Sequence, residues 1–226
     1  MEPAVTPAPK SVWRIGRRPD PLAIRTPLPS SDLTKASVGN RFDSPVASYG
    51  VLYFGGDLET CFAETLARFR PDVKVIAEIQ NEWKDRNFVE LGSVPADWRF
   101  QRVAVRVSMA GSLPFLDLES ADSLEYLRVA LAGQLVALGH TDFDMGVVCG
   151  TDRRVTRLVS QWTYDEVDGD EMAVYGGIRY MSRVAPEYEC WAAFEDCSIE
   201  VLEERGIPEE DPYLKKIANR YGLRVF

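Results

Sequence analysis

Three side chains close together in the sequence could do chemistry as a group: Arg41, Tyr53 and Glu64. A guanidinium holds phosphate oxygens through paired donors. A phenol ring stacks on a flat ligand and offers its hydroxyl. A carboxylate stabilises positive charge that develops as a bond breaks. The elements that must position them follow from the local sequence. Gly39-Asn40-Arg41-Phe42-Asp43-Ser44-Pro45 is rich in turn formers. Val51 to Phe54 is a short apolar run typical of a buried strand. Asp57 is a good N-cap for the helix that follows. In that helix Leu58, Cys61, Phe62, Thr65, Leu66 and Phe69 share one face. Glu64 falls off this stripe, beside Thr60, Ala63 and Ala67, which are small enough to let a bulky group approach. Periodicity alone also fits a plain solvated Glu64, and Arg41 by itself fits a surface cation.

The whole pattern resembles the RES family, whose run of G-x-R-[WF]-x-S-P, Tyr and a helix-borne Glu corresponds to Gly39–Pro45, Tyr53 and Glu64. Phe42 stands where the family commonly has Trp. The resemblance continues at Asp152 to Ser160, at Tyr175 to Arg183 and at Cys190 to Phe194, so it spans roughly Val12 to Phe194. It implies a fold related to the ADP-ribosyltransferases. It also implies an NAD-destroying enzyme acting as the toxin of a bacterial toxin–antitoxin pair. NAD+ would then be the substrate, with no cofactor and no metal. By resemblance Glu64, Ser160 and Arg41 are the catalytic residues. Tyr53, Arg41, Tyr49 and Arg14 are the substrate-binding ones, Tyr49 standing in if Tyr53 points into the core. In such a site Arg41 takes the pyrophosphate, Tyr53 stacks on nicotinamide, and Glu64 faces the ribose cation. Ser160 orients the ribose or the attacking group. Water as acceptor gives a glycohydrolase, phosphate a phosphorylase, and a protein side chain a mono-ADP-ribosyltransferase. A catalytically inactive domain that binds a partner is a further alternative. The family implies an antitoxin with a helix-turn-helix domain as partner, and a homodimer is possible.

Composition narrows the alternatives. The chain has 226 residues and a formal charge of −9. That length suits one large domain, and the charge disfavours a direct nucleic-acid groove. Cys61, Cys149, Cys190 and Cys197 lack metal-site spacing and read as reduced residues of a cytoplasmic protein. There is no membrane-length apolar run and no signal peptide at Met1. No G-x-G-x-x-G occurs, which argues against a Rossmann dehydrogenase. His140, the only histidine, follows a helix end and reads as structural.

These elements predict one α+β domain with a mixed, mostly antiparallel sheet and flanking helices, ADP-ribosyltransferase-like by resemblance. Residues 1–11 read as a disordered tail and 12–226 as the RES domain. Within it, 81–100 read as an insertion and 195–226 as an acidic C-terminal extension with a solvated surface. Val73 to Ile76 reads as a strand start or a loop. Strands are expected at Val12–Ile15, Arg102–Ser108, Phe115–Leu118, Ile178–Tyr180 and Cys190–Phe194. Helices are expected from Asp122 to Leu138, over Thr151–Tyr164 with Ser160 opposite its buried face, and over Asp211–Tyr221.

Overall fold

The apolar runs around Tyr53 and Cys190 become neighbouring strands near the middle of one eight-stranded sheet. The structure is a computed structural model that describes residues 2–24, 28–82 and 92–226. Its strands are β1 (Val5–Thr6), β2 (Val12–Arg17), β3 (Val51–Gly55), β4 (Ser93–Val94), β5 (Arg102–Ser108), β6 (Phe115–Asp117), β7 (Gly177–Met181), β8 (Glu189–Phe194), β9 (Glu200–Gly206) and β10 (Arg224–Val225). The main sheet runs β1-β6-β7-β8-β3-β2-β5-β9, and β4 pairs with β10 apart from it. Within the main sheet only β6 and β7 are parallel; every other neighbouring pair is antiparallel. The mixed, mostly antiparallel α+β architecture is therefore the observed one.

Strand alternation sorts the core onto two faces. Tyr53, Cys190, Ala192 and Phe194 join one cluster with Leu127, Val155 and Val159 from the helices. Leu52, Phe54, Trp191 and Ala193 join another on the opposite face with Val105 and Phe115. Because β3 and β8 are covered on both sides, their sequences are apolar at nearly every position. A third cluster packs the Leu58–Leu66 helix against the C-terminal helix Pro212–Tyr221 through Phe62, Leu66, Leu214 and Ile217. A Cβ at Gly55 would come within 2.9 Å of Thr60 Cγ2 and 3.0 Å of Cys61 Sγ, so glycine lets the first of these helices sit close on its strand.

Several expectations are corrected. Residues 2–11 are docked, not disordered: Val5 and Thr6 pair with Leu116 and Phe115, and Ala4 N donates to Ser123 Oγ at 3.0 Å. Val73–Glu82 is a helix, with Asp72 Oδ1 accepting from Lys74 N at 2.7 Å. Of the expected insertion 81–100, residues 83–91 lie outside the described residues, while Val94 and Trp98 are buried in the Phe62 cluster. The acidic C-terminal part belongs to the fold: β9 forms the sheet edge beside β5, and Leu214 and Ile217 are fully buried. Its glutamates face outward on that edge, where charge discourages pairing with another chain. The Leu-rich helix starts from Ser120, not Asp122, and is interrupted at Leu131 into Ala121–Ala130 and Ala132–Ala137.

Candidate active site

The turn that carries Arg41 is held from three sides. Gly39 takes a φ of +70°, which favours glycine. Asp43 closes the turn, with Oδ2 accepting from Asn40 N at 2.7 Å and Oδ1 from the Tyr53 hydroxyl at 2.9 Å. The Tyr53 hydroxyl in turn accepts from Phe42 N at 3.1 Å. Below, the helix Arg153–Asp165 clamps carbonyls of the turn and of the segment that leads into it. Arg153 donates to Gly39 O, Arg157 donates to Leu33 O, to Lys35 O (3.2 Å) and to Asn40 O (3.3 Å), and Ser160 donates to Phe42 O at 2.7 Å.

This corrects three expected roles. Ser160 is fully buried, accepts from the Tyr49 hydroxyl at 2.8 Å, and does not border the cavity. Its helix is buried on this side as well, and the serine supports the Arg41 turn from below. Tyr49 borders the cavity, but its ring stacks on Tyr164 at 4.0 Å and its hydroxyl is held in the core by Ser160. Burial raises the pKa of that phenol. Tyr53 borders the cavity too, but its hydroxyl is committed to Asp43 and Phe42 and only its ring is offered. Ser160→Ala is expected to cost about 1–2 kcal/mol by stranding the Tyr49 hydroxyl and the Phe42 carbonyl. Urea unfolding checks this, and Tyr49→Phe in the same background should add little, since both changes break one network.

The cavity itself encloses about 820 Å³, within the ~300–1,000 Å³ usual for small-molecule sites. Arg14, Arg41, Tyr53 and Glu64 all border it. Its charge is opposite to that of the chain: Arg14, Arg41, Arg70, Arg153 and Arg183 face only Asp43 and Glu64. An anionic ligand is drawn there although the protein as a whole repels it. Arg41 is anchored, with Nη1 donating to Met181 O and Nη2 to Val148 O, each at 3.1 Å. Its guanidinium also lies 4.9 Å from the centre of the Tyr180 ring. Two of its five donors are thus committed to the protein, Nε is buried without a partner, and the residue borders the cavity. Arg14 donates to Pro21 O at 2.9 Å and to Tyr53 O at 2.8 Å. Arg183 is exposed and makes no hydrogen bond or ion pair with the other described residues. Glu64 is exposed as expected, and its Oε1 accepts from the Ser182 hydroxyl. Asp43, Arg153, Ser182 and Arg183 are site residues that the sequence reading passed over. Ser182 and Arg183 close the Tyr175–Arg183 run, and Asp43 lies inside the Arg41 run.

The model of the RES domain family matches residues 11–213. The chain belongs to the RES domain family. Among solved structures it is similar to a chain of the M. tuberculosis MbcT-MbcA toxin-antitoxin complex, at 9% identity and a TM-score of 0.45, over 90% of this chain and 86% of that one. No curated protein matches it. The match reaches past Phe194 through β9 and ends at Tyr213, at the start of the C-terminal helix. No described helix is long and apolar enough to cross a membrane, and the described residues hold no metal-binding group.

One titration bears on the clamp helix. Asp152 caps it, with Oδ1 accepting from Arg154 N at 3.0 Å and Oδ2 from Arg154 Nη2 at 2.6 Å. The Arg154 guanidinium holds this carboxyl down at about 2. An unfolded Asp titrates near ~3.9. A depressed folded pKa adds stability above the unfolded value, lost as pH falls through the folded one. Acid unfolding should therefore weaken the RES fold between about pH 4 and pH 2. Asp152→Asn keeps a cap but not the charge, so its stability deficit should be constant above about pH 5, shrink as pH falls and vanish only near about pH 1.

Proposed function

We propose that this RES-domain protein destroys NAD+ by cleaving the nicotinamide–ribose bond. The observation that carries the reading is the single cavity bordered by Arg41, the Tyr53 ring and Glu64, cationic in an otherwise acidic protein. The guanidinium cluster of Arg14, Arg41 and Arg153 suits a pyrophosphate. The face of the Tyr53 ring suits a flat ligand. Glu64 is the carboxylate available to the ribose. Nicotinamide leaves as a neutral molecule, so no strong general acid is needed. The step breaks the bond between the pyridinium nitrogen and the anomeric carbon, and the bonding pair goes to nitrogen. Glu64 offsets the positive charge left on the ribose and orients the incoming nucleophile; where that is water, the carboxylate takes the proton it loses as its oxygen bonds to the anomeric carbon. Water and phosphate both fit this scheme, giving a glycohydrolase or a phosphorylase.

Membership of the RES family supports a toxin role in the cytoplasm, with an antitoxin that covers the cavity mouth and carries a helix-turn-helix domain. Expression without that partner should arrest growth, and Glu64→Gln should relieve the arrest. Binding is tested with Glu64→Gln protein, in which NAD+ persists. At a hundredfold excess over Kd, NAD+ should stabilise the fold by about 2.7 kcal/mol, read as a rise in melting temperature. No shift at millimolar NAD+ would count against the site.

A further inference from the structure

The end of β7 joins the two halves of the cavity. Tyr180 lies under the Arg41 guanidinium, the Met181 carbonyl accepts from Arg41 Nη1, and the next side chain, Ser182, donates to Glu64 Oε1. Ser182 is itself fixed: it is buried, and its Oγ accepts from Val184 N at 2.9 Å. Glu64 by contrast is exposed on its helix, with flexible torsions of its own. Its Oε2 makes no hydrogen bond to the other described residues. One oxygen is thus tied to a rigid strand end and the other is left for the ligand.

From this arrangement we infer that Ser182 is a positioning residue for Glu64, and that the Tyr180–Ser182 strand end sets the spacing between that carboxylate and Arg41. The inference rests on the reading of Glu64 given above. A carboxylate that must meet charge developing on one carbon gains by being held before the reaction, because reorganising it during the step costs rate. The Ser182 hydroxyl supplies that hold by donating its proton to one oxygen and accepting the Val184 N–H in return. The hydroxyl touches no reacting atom, so its loss should appear in turnover and not in binding.

The test is steady-state NAD+ cleavage by Ser182→Ala, Ser182→Thr and Glu64→Asp, alone and combined, with melting temperatures measured in parallel. Ser182→Ala should lower kcat by about ten- to a hundredfold, on the scale of a small misplacement of a reacting group, with KM for NAD+ little changed. Ser182→Thr keeps the hydroxyl and should recover most of kcat. In Glu64→Asp the shortened carboxylate no longer reaches Ser182, so adding Ser182→Ala should cost little more. Wild-type kcat in a folded Ser182→Ala would overturn the inference, as would an undiminished further loss in the Glu64→Asp background. Should Ser182→Ala not fold, Ser182→Thr decides: turnover near wild type supports positioning, and a large fall in kcat overturns it. If Glu64→Gln kept full activity, the proposed role of Glu64 itself would fail. An inactive Glu64→Gln beside a fully active Ser182→Ala would overturn only the positioning role.

Discussion

Glu64→Gln is expected to lower NAD+ cleavage by a factor on the order of 10²–10⁴, the usual contribution of a placed acid or base. The substitution keeps shape and an acceptor for Ser182 but removes the charge opposite the ribose. Because Glu64 is exposed, the fold should be little affected, and the unfolding free energy should change by no more than a surface substitution causes, about 0.5 kcal/mol or less. Activity and stability therefore separate at this position. Glu64→Asp, which keeps the charge and shortens the arm, should fall between the two. Turnover by Glu64→Gln close to that of the parent would mean that the carboxylate is a bystander.

Arg157→Met is expected to give the opposite signature. Arg157 is the largest fully buried side chain, and its guanidinium holds the carbonyls of Leu33, Lys35 and Asn40. Methionine fills part of the volume but leaves three carbonyls without donors. Only the Leu33 carbonyl is bonded in a buried setting, so at about 1–3 kcal/mol for a buried group left unsatisfied a loss of about 1–3 kcal/mol is expected in urea unfolding. Lysine should not rescue it, since a point charge cannot reproduce a planar fork that reaches three acceptors. The turn that carries Arg41 is what these bonds hold, so NAD+ cleavage should fall together with stability, although Arg157 does not border the cavity. A variant as stable as the parent would show that the turn is held by other contacts.

The contrast between these two positions explains how much of the molecule was legible in the sequence. Strands β3 and β8 could be read because burial on both faces leaves a continuous apolar record in the chain. Glu64 could be placed because its helix buries one stripe and exposes the carboxylate, which local periodicity reports. Ser160 could not, because what buries it is Phe42, 118 residues away in sequence, and no local pattern records that contact. The helix Val73–Glu82 was hidden by β-branched residues, Val73, Val75 and Ile76, whose strand preference gave way to a cap at Asp72. β9 was hidden by glutamates that suit an exposed sheet edge as well as a solvated loop. Ser182 sits in a short segment whose meaning comes only from Glu64 lying beside it.

The central claim is that this cavity breaks the nicotinamide–ribose bond of NAD+. Its most direct test is chromatography of NAD+ incubated with the purified wild-type protein, with and without inorganic phosphate. One nicotinamide should be released for each NAD+ lost, together with ADP-ribose, or with its 1″-phosphate where phosphate is the acceptor. Intact NAD+ after prolonged incubation under both conditions, or cleavage at the pyrophosphate with nicotinamide still attached to ribose, would contradict it.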